Sequence, residues 1–228
     1  MKYEQVCLGR FVSRPNRFIA EVELDGIRET VHVKNTGRCK ELLVPGVTVV
    51  LSIADNPARK TKYDLIAVYK EGTGLINMDS QAPNAAAAEL LQRLYPAYRV
   101  IPEQKCGTSR FDFALDGPAG RKWVEVKGCT LERDGRCYFP DAPTARGVKH
   151  LRELRELALR GEDATILFLV QMKGAKSLSP NDETDPAFGK ALREAKAAGV
   201  QILCYDCLVT EDSMVADAPV EVVPGNEQ

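Results

Sequence analysis

No stretch of this sequence approaches the roughly 20 consecutive apolar residues that a membrane-spanning helix needs. Its start has no basic-then-apolar pattern of a secretory signal. The expectation is therefore a cytoplasmic protein with no membrane partner. Histidine is scarce, since His32 and His150 are the only two. The glycine-rich loops of dinucleotide and ATP sites are missing, both Gly-x-Gly-x-x-Gly and the Gly-Lys-Ser/Thr phosphate loop. So is the Gly-x-Ser-x-Gly elbow of many serine hydrolases. A strong excess of either charge is also lacking: the formal net charge is -1, which does not advertise a polyanionic partner. Net charge is silent on local distribution, however. The seven cysteines are an odd number, and a reducing compartment is the simplest setting for them. Cys204-Tyr205-Asp206-Cys207 has the spacing of a zinc or redox pair, but no second Cys or His pair stands nearby. Buried structural cysteines at a strand end are the expectation.

What is present suits one large domain or two small ones in 228 residues. An apolar fraction of 44% is enough for a core. Residues 1–80 are β-rich. Phe18 to Leu24 alternates and ends at Asp25-Gly26, a hairpin-turn pair. Glu29 to Val33 alternates again, Val47 to Ile53 follows Pro45-Gly46, and Tyr63 to Tyr69 is another apolar run. Several short strands with turns between them predict a small barrel or sandwich. The polar stretch 77–84 marks a boundary, so the domains are expected at 1–80 and 81–228. The second begins with a helix that Pro96 prevents from continuing. Strands near 98–103, 109–115 and 121–130 follow. A helix over about 145–160 has Leu151, Leu154, Leu157 and Ala158 on one side. An apolar strand then runs from Ala164 to Met172. Asp185-Pro186 starts a third helix that Gly199 ends, and Val200 to Tyr205 is a last strand. That order predicts an α/β domain with a mixed sheet.

The chemistry is expected on the strands Ser109–Leu115 and Lys122–Lys127. Strand alternation puts Phe111, Phe113 and Leu115 on one face and Arg110 and Asp112 on the other. On the second strand Val124 and Val126 oppose Glu125 and Lys127. If the strands pair, Asp112, Glu125 and Lys127 converge. Two carboxylates can hold a hard divalent cation, Mg2+ or Mn2+, with the Val126 carbonyl as a third ligand. Lys127 would orient or deprotonate the attacking water, or stabilise charge on a phosphorane-like transition state. Glu103 could hold a metal-bound water, with Glu89 ranked below it. The plainer alternative is a surface strand with a Glu–Lys pair.

Phosphate contacts are expected from several places. Arg14 and Arg17 lie near the first strands. Two basic loops supply Lys34 and Arg38, then Arg59, Lys60 and Lys62. Arg110 shares the face of Asp112. Before the second helix, the run Tyr138 to His150 carries two prolines and a glycine. It would cluster Thr144, Arg146, Lys149 and His150 near a helix N-terminus, where anions are favoured. Solvated loops and an ordinary helix cap are the bland alternatives.

Several segments resemble one known family, the sugar fermentation stimulation proteins. They are Arg17 to Val22, Asn35-Thr36-Gly37, Ser52 to Pro57, Ser109 to Phe113, Val124 to Lys127, Phe139 to Thr144 and Lys149 to Leu154. Gly128-Cys129 stands where Ser-Val is expected, and Arg38-Cys39 where Ser-Met is more usual. The resemblance implies an N-terminal OB-fold barrel and a C-terminal PD-(D/E)XK nuclease-like α/β domain with a mixed sheet. It also implies binding of DNA, largely independent of sequence, and a regulatory part in sugar (maltose) metabolism. The nuclease pattern would fall on Asp112, Glu125 and Lys127, with Glu103 as helper. Two other functions stay open at this point: a catalytically silent DNA-binding regulator and a protein-interaction module.

Overall fold

The computed structural model describes residues 1–225 apart from Thr36, Arg38, Asp55, Pro57 and Thr108. The chain opens with a β-meander of β1 (Val6–Asn16), β2 (Ile19–Leu24) and β3 (Ile27–Val33). The β2–β3 turn places Asp25 and Gly26 at φ 50° and 79°. Positive φ at both central residues is what a type I′ hairpin requires, which explains an Asp-Gly pair there. Next come β4 (Thr48–Ile53), β5 (Tyr63–Lys70) and β6 (Gly74–Asn77). β4 pairs with β1 and β5 with β4, both antiparallel. A short parallel pairing of β3 with β5, His32 to Asp64 and Val33 to Leu65, closes five strands into a barrel. Its interior is filled by alternate side chains such as Phe11, Val22, Val31, Val49 and Leu65. β1 and β6 were not expected. Gly9 and Pro15 interrupt β1's pattern, and β6 has four residues.

The remaining elements are α1 (Ala82–Leu94), β7 (Arg99–Cys106), β8 (Ser109–Gly117), β9 (Gly120–Cys129), β10 (Glu132–Arg133), β11 (Arg136–Phe139), α2 (Ala145–Leu159), β12 (Asp163–Val170), β13 (Ser177–Pro180), α3 (Pro186–Ala197), β14 (Gln201–Val209), β15 (Met214–Pro219) and β16 (Glu221–Val222). Six of them form a mixed sheet in the order β15-β14-β12-β9-β8-β7. β9, β12 and β14 run parallel; β7, β8 and β15 pair antiparallel. The largely apolar run Ala164 to Val170, broken by Thr165, lies in β12, in the middle of the sheet and buried on both faces. Helix α1 packs with Phe113, Leu115, Val124, Val126 and Leu167 in one cluster. Helices α2 and α3 pack with Trp123, Ile166 and Phe168 in another, which is continuous with the barrel interior. β10, β11, β13 and β16 make a second small sheet that periodicity did not predict.

One expectation about β8 is overturned. Phe111 does not share a face with Phe113 and Leu115: it lies in the α2–α3 cluster, while they lie in the α1 cluster. The strand falls out of step at Asp112. Across from it, Glu103 has φ 51°, and the β7–β8 ladder passes from Gln104–Phe111 to Pro102–Phe113 without pairing the two residues between. Such an irregularity re-aims a side chain at the cost of ladder bonds.

The barrel is fixed to the α/β domain by buried polar groups. Gln171, just after β12, donates from Nε2 toward Asn77 O (3.1 Å), Asn77 Oδ1 (3.2 Å) and Asp79 O (3.1 Å). Asn77 N donates in return to Gln171 O at 2.9 Å. Tyr3 ties the same group together, accepting from Asn77 Nδ2 and donating to Asp79 Oδ2. Removing one partner of such a set leaves buried acceptors unmet, at about 1–3 kcal/mol. Gln171→Leu, close in size but without polar atoms, is expected to lower unfolding free energy by about that amount. A urea titration with an unchanged midpoint would show that the clamp adds nothing.

Candidate active site

β8 and β9 pair from Gly117–Gly120 as far as Phe113–Val124 and no further. At the next step they part, and the side chain of Asp112 occupies the gap. Its Oδ2 accepts from Val126 N at 2.8 Å, replacing a ladder bond. Its Oδ1 accepts from Asn84 Nδ2 on α1 at 2.9 Å. Burial, and then the nearby charge of Glu125, push the Asp112 carboxyl above its usual pKa; the two donors work against this.

Glu125 lies on β9 and is 2% exposed. Alternation turns it away from the α1 cluster and toward α2, as expected for Glu125 and Lys127. Lys127 Nζ donates to Glu125 Oε1 at 2.5 Å. The His150 ring, on the inner face of α2, meets the same oxygen through Nδ1. An ionised carboxylate can only accept, so Nδ1 carries the hydrogen. Burial works to raise the pKa of Glu125, but His150 and Lys127 outweigh it and hold the carboxyl below its ordinary range. The other oxygen, Oε2, is buried and takes no hydrogen bond among the described residues. A buried carboxylate oxygen without a partner is costly, and a cation is a natural partner for it. The site therefore offers two acidic side chains of unlike character, one held ionised by its Lys127 and His150 partners and one pressed toward neutrality. Oxygen donors of this kind suit a hard cation that keeps several waters. Among the described residues no three His, Cys, Asp or Glu side chains come together in a metal-ligating group.

Helix α2 delivers His150 because its start is fixed. Thr144 Oγ1 caps it by accepting from Gly147 N at 3.1 Å, and Thr144 N donates to Asp185 Oδ2, itself the cap of α3. His150 is buried and packs against Phe111. It is thus not one of the phosphate-facing donors expected on this helix; it holds Glu125 instead. Thr144 is engaged as a cap. Arg146 and Lys149 are exposed, with Lys149 3.7 Å from Glu153.

Both extra carboxylates lie outside this constellation. Glu103 is exposed and pairs with Arg110 at 3.3 Å, and Glu89 pairs with the amino group of Met1. The expectation that Glu103 joins the metal group is not met: its side chain is exposed and paired with Arg110, away from Asp112 and Glu125. Several basic residues are likewise spoken for. Arg14 donates to the carbonyls of Gly37, Arg17 and Asn35, which makes it a staple for that loop. Lys34 sits between Asp64 (3.5 Å) and Asp79 (3.6 Å). Arg59 forms a two-armed pair with Asp64 at 2.9 and 2.6 Å. Burial opposes ionisation of Asp64, yet Arg59, His32 and Lys34 bring its pKa down to about 2. Lys60 and Lys62 are exposed, and Arg17 is exposed with its guanidinium 4.8 Å from the Phe18 ring centre. Arg38 lies outside the described residues.

The model of the sugar fermentation stimulation protein RE domain matches residues 81–213, and that of the SfsA N-terminal OB domain matches residues 12–78. The chain belongs to the sugar fermentation stimulation protein family. A family homologue from Desulfitobacterium hafniense (strain Y51) is 55% identical over 218 residues, covering 95% of each chain. One from Clostridium novyi (strain NT) is 51% identical over 229 residues, 98% of this chain and 100% of the relative. Among solved structures, Pyrococcus furiosus SfsA in complex with Ca2+ superposes with a TM-score of 0.88 at 26% identity, covering 98% of both chains. The family match and this superposition agree with the OB barrel and mixed-sheet architecture. No helix among the described residues is long and apolar enough to cross a membrane.

The raised carboxyl of Asp112 has a consequence for stability. A folded-state pKa above the unfolded value favours the fold below the unfolded pKa, and that contribution is lost as pH rises through the folded pKa. At neutral pH the ionised Asp112 is therefore a burden on the cation-free protein. Asp112→Asn keeps an acceptor for Val126 N and removes the charge. It is expected to raise the melting temperature at pH 7 without divalent ions, with a gain that shrinks as pH falls toward 4. Calorimetry across that range checks the sign; a gain that grows on acidification would contradict it.

Proposed function

We propose that this chain is a divalent-cation-dependent phosphodiesterase acting on DNA. The observation that carries the reading is Glu125 Oε2, buried and without a hydrogen bond among the described residues, on the carboxylate whose charge reaches Asp112. Asp112 and Glu125 would hold Mg2+ or Mn2+, with the Val126 carbonyl as a further ligand. A bound cation of this kind lowers the pKa of a water and neutralises charge on a phosphoryl oxygen. The chain's own groups would do the rest. Lys127 Nζ, held by Glu125, would stabilise negative charge developing on the phosphate. His150 fixes the Glu125 rotamer from behind and keeps that carboxylate ionised. Asn84 and Val126 N orient Asp112. The Ca2+ complex of the Pyrococcus relative supports the reading, since Ca2+ is also bound by hard oxygen ligands.

Exposed Arg17, Lys60, Lys62, Arg146 and Lys149 would meet the phosphate backbone, giving affinity that is largely independent of sequence and falls with salt. The regulatory part in sugar (maltose) metabolism implied by the resemblance would then be exerted on DNA. Two measurements test the reading. Mg2+ at about 100 times its dissociation constant should stabilise the wild type by about 2.7 kcal/mol and leave Glu125→Gln nearly unmoved. Cleavage of DNA with Mg2+ or Mn2+ should appear in the wild type and vanish in Lys127→Ala and Asp112→Asn. Cleavage that survives both substitutions sinks the assignment. DNA binding without turnover would leave a silent binding protein.

A further inference from the structure

A cavity of about 310 Å³ opens between the barrel and the α/β domain, within the size range of small-ligand sites. It shares a wall with the carboxylate pair. Gly128 lines it and follows Lys127; Pro83 lines it and precedes Asn84, the residue that holds Asp112. The two wall residues are in close contact, since a Cβ on Gly128 would lie 2.6 Å from Pro83 Cγ. A group in the cavity is thus one residue away, along two separate segments, from the groups that hold Asp112 and Glu125.

The lining says what that group is. Among the described residues it has no Lys or Arg, and its charged member is Asp141. No described side chain of the lining is a cation that would pair with a phosphate. What the walls offer is an aromatic ring and acceptors. The Gln171 amide nitrogen is consumed by Asn77 and Asp79, but its Oε1 takes no hydrogen bond among the described residues. The hydroxyls of Thr130 and Tyr138 are open in the same sense. The Tyr138 ring carries the Arg133 guanidinium 5.4 Å from its centre. A flat, uncharged group with N–H donors fits such walls, and a nucleobase is that group.

We propose that this cavity receives one unstacked nucleobase of a strand whose backbone phosphate lies at Asp112 and Glu125. The inference rests on the nucleic-acid reading above and adds a substrate class to it: single-stranded DNA, in which a base is free to turn out, over closed duplex. Taking a base from a duplex costs a few kcal/mol of unpairing and unstacking, whereas a single strand is spared most of this.

The test uses the full chain and a short single-stranded oligonucleotide with one 2-aminopurine and a terminal fluorescein. Anisotropy of the fluorescein reports binding; 2-aminopurine emission reports unstacking. The expected result is emission that changes on binding, and affinity about tenfold weaker when the same position is abasic, as loss of one base contact implies. Ala142→Phe, which fills the cavity from a lining position outside the carboxylate site, should lose the emission change and weaken binding comparably. Ala142→Ser should retain both. The abasic strand keeps the proposal testable if Ala142→Phe does not fold. Binding with unchanged emission, or with equal affinity for the abasic strand, overturns the base cavity and leaves the phosphodiesterase reading standing. No binding of any oligonucleotide at low salt overturns both.

Discussion

The hydrogen bond from Val126 N to Asp112 Oδ2 is the point on which the site depends. A β-ladder left to itself would pair β8 with β9 to its end, and Asp112 would stand on a sheet face exposed to water. The bond exchanges backbone pairing for side-chain capture, so the strands part and a carboxylate enters the space between them. Everything that follows is local to that fork. Phe111 is turned to the opposite face from Phe113 and packs against His150; His150 then meets Glu125. The fork is thus both the acidic site and the packing that positions its histidine.

The two carboxylates pay unequally for their burial. Glu125 is compensated by direct bonds from Lys127 and His150, while Asp112 takes its direct bonds from an amide and a backbone N–H and feels the Lys127 charge least of all. A cation between them would cancel the repulsion that raises Asp112 and give Glu125 Oε2 a partner. Without one, the fold holds a deliberate imbalance of the sort that active sites keep at the expense of stability.

Much of this was legible from the residues, and the failures have physical causes. The Asp25-Gly26 turn, the alternation of Val124 and Val126 against Glu125 and Lys127, and the cap at Asp185 are local properties read over a few positions, whereas Thr144, read as a phosphate contact, is the cap of α2. Phe111 was misplaced because alternation presumes an unbroken strand, and nothing in Ser109 to Leu115 signals that Asp112 will accept a backbone proton from a residue 14 positions away. Arg14, Lys34 and Arg59 read as phosphate ligands because their charge is local, while the carbonyls and carboxylates that absorb it are brought by barrel closure. His150 lies 25 residues from Glu125, a separation over which one sequence carries no pairing signal. The short strands β10, β13 and β16 are set by their neighbours more than by their own pattern.

Arg14 braces the barrel side of the cavity opening. It sits on β1, inside the barrel domain, and its guanidinium grips the carbonyls of Asn35 and Gly37, both of which line the cavity beside the acidic fork. The opposite walls belong to the α/β domain. The width of that opening is therefore a mechanical readout of how the two domains sit. Loss of the Arg14 guanidinium would therefore free two carbonyls on the barrel side of that opening and leave the partners of both carboxylates in place.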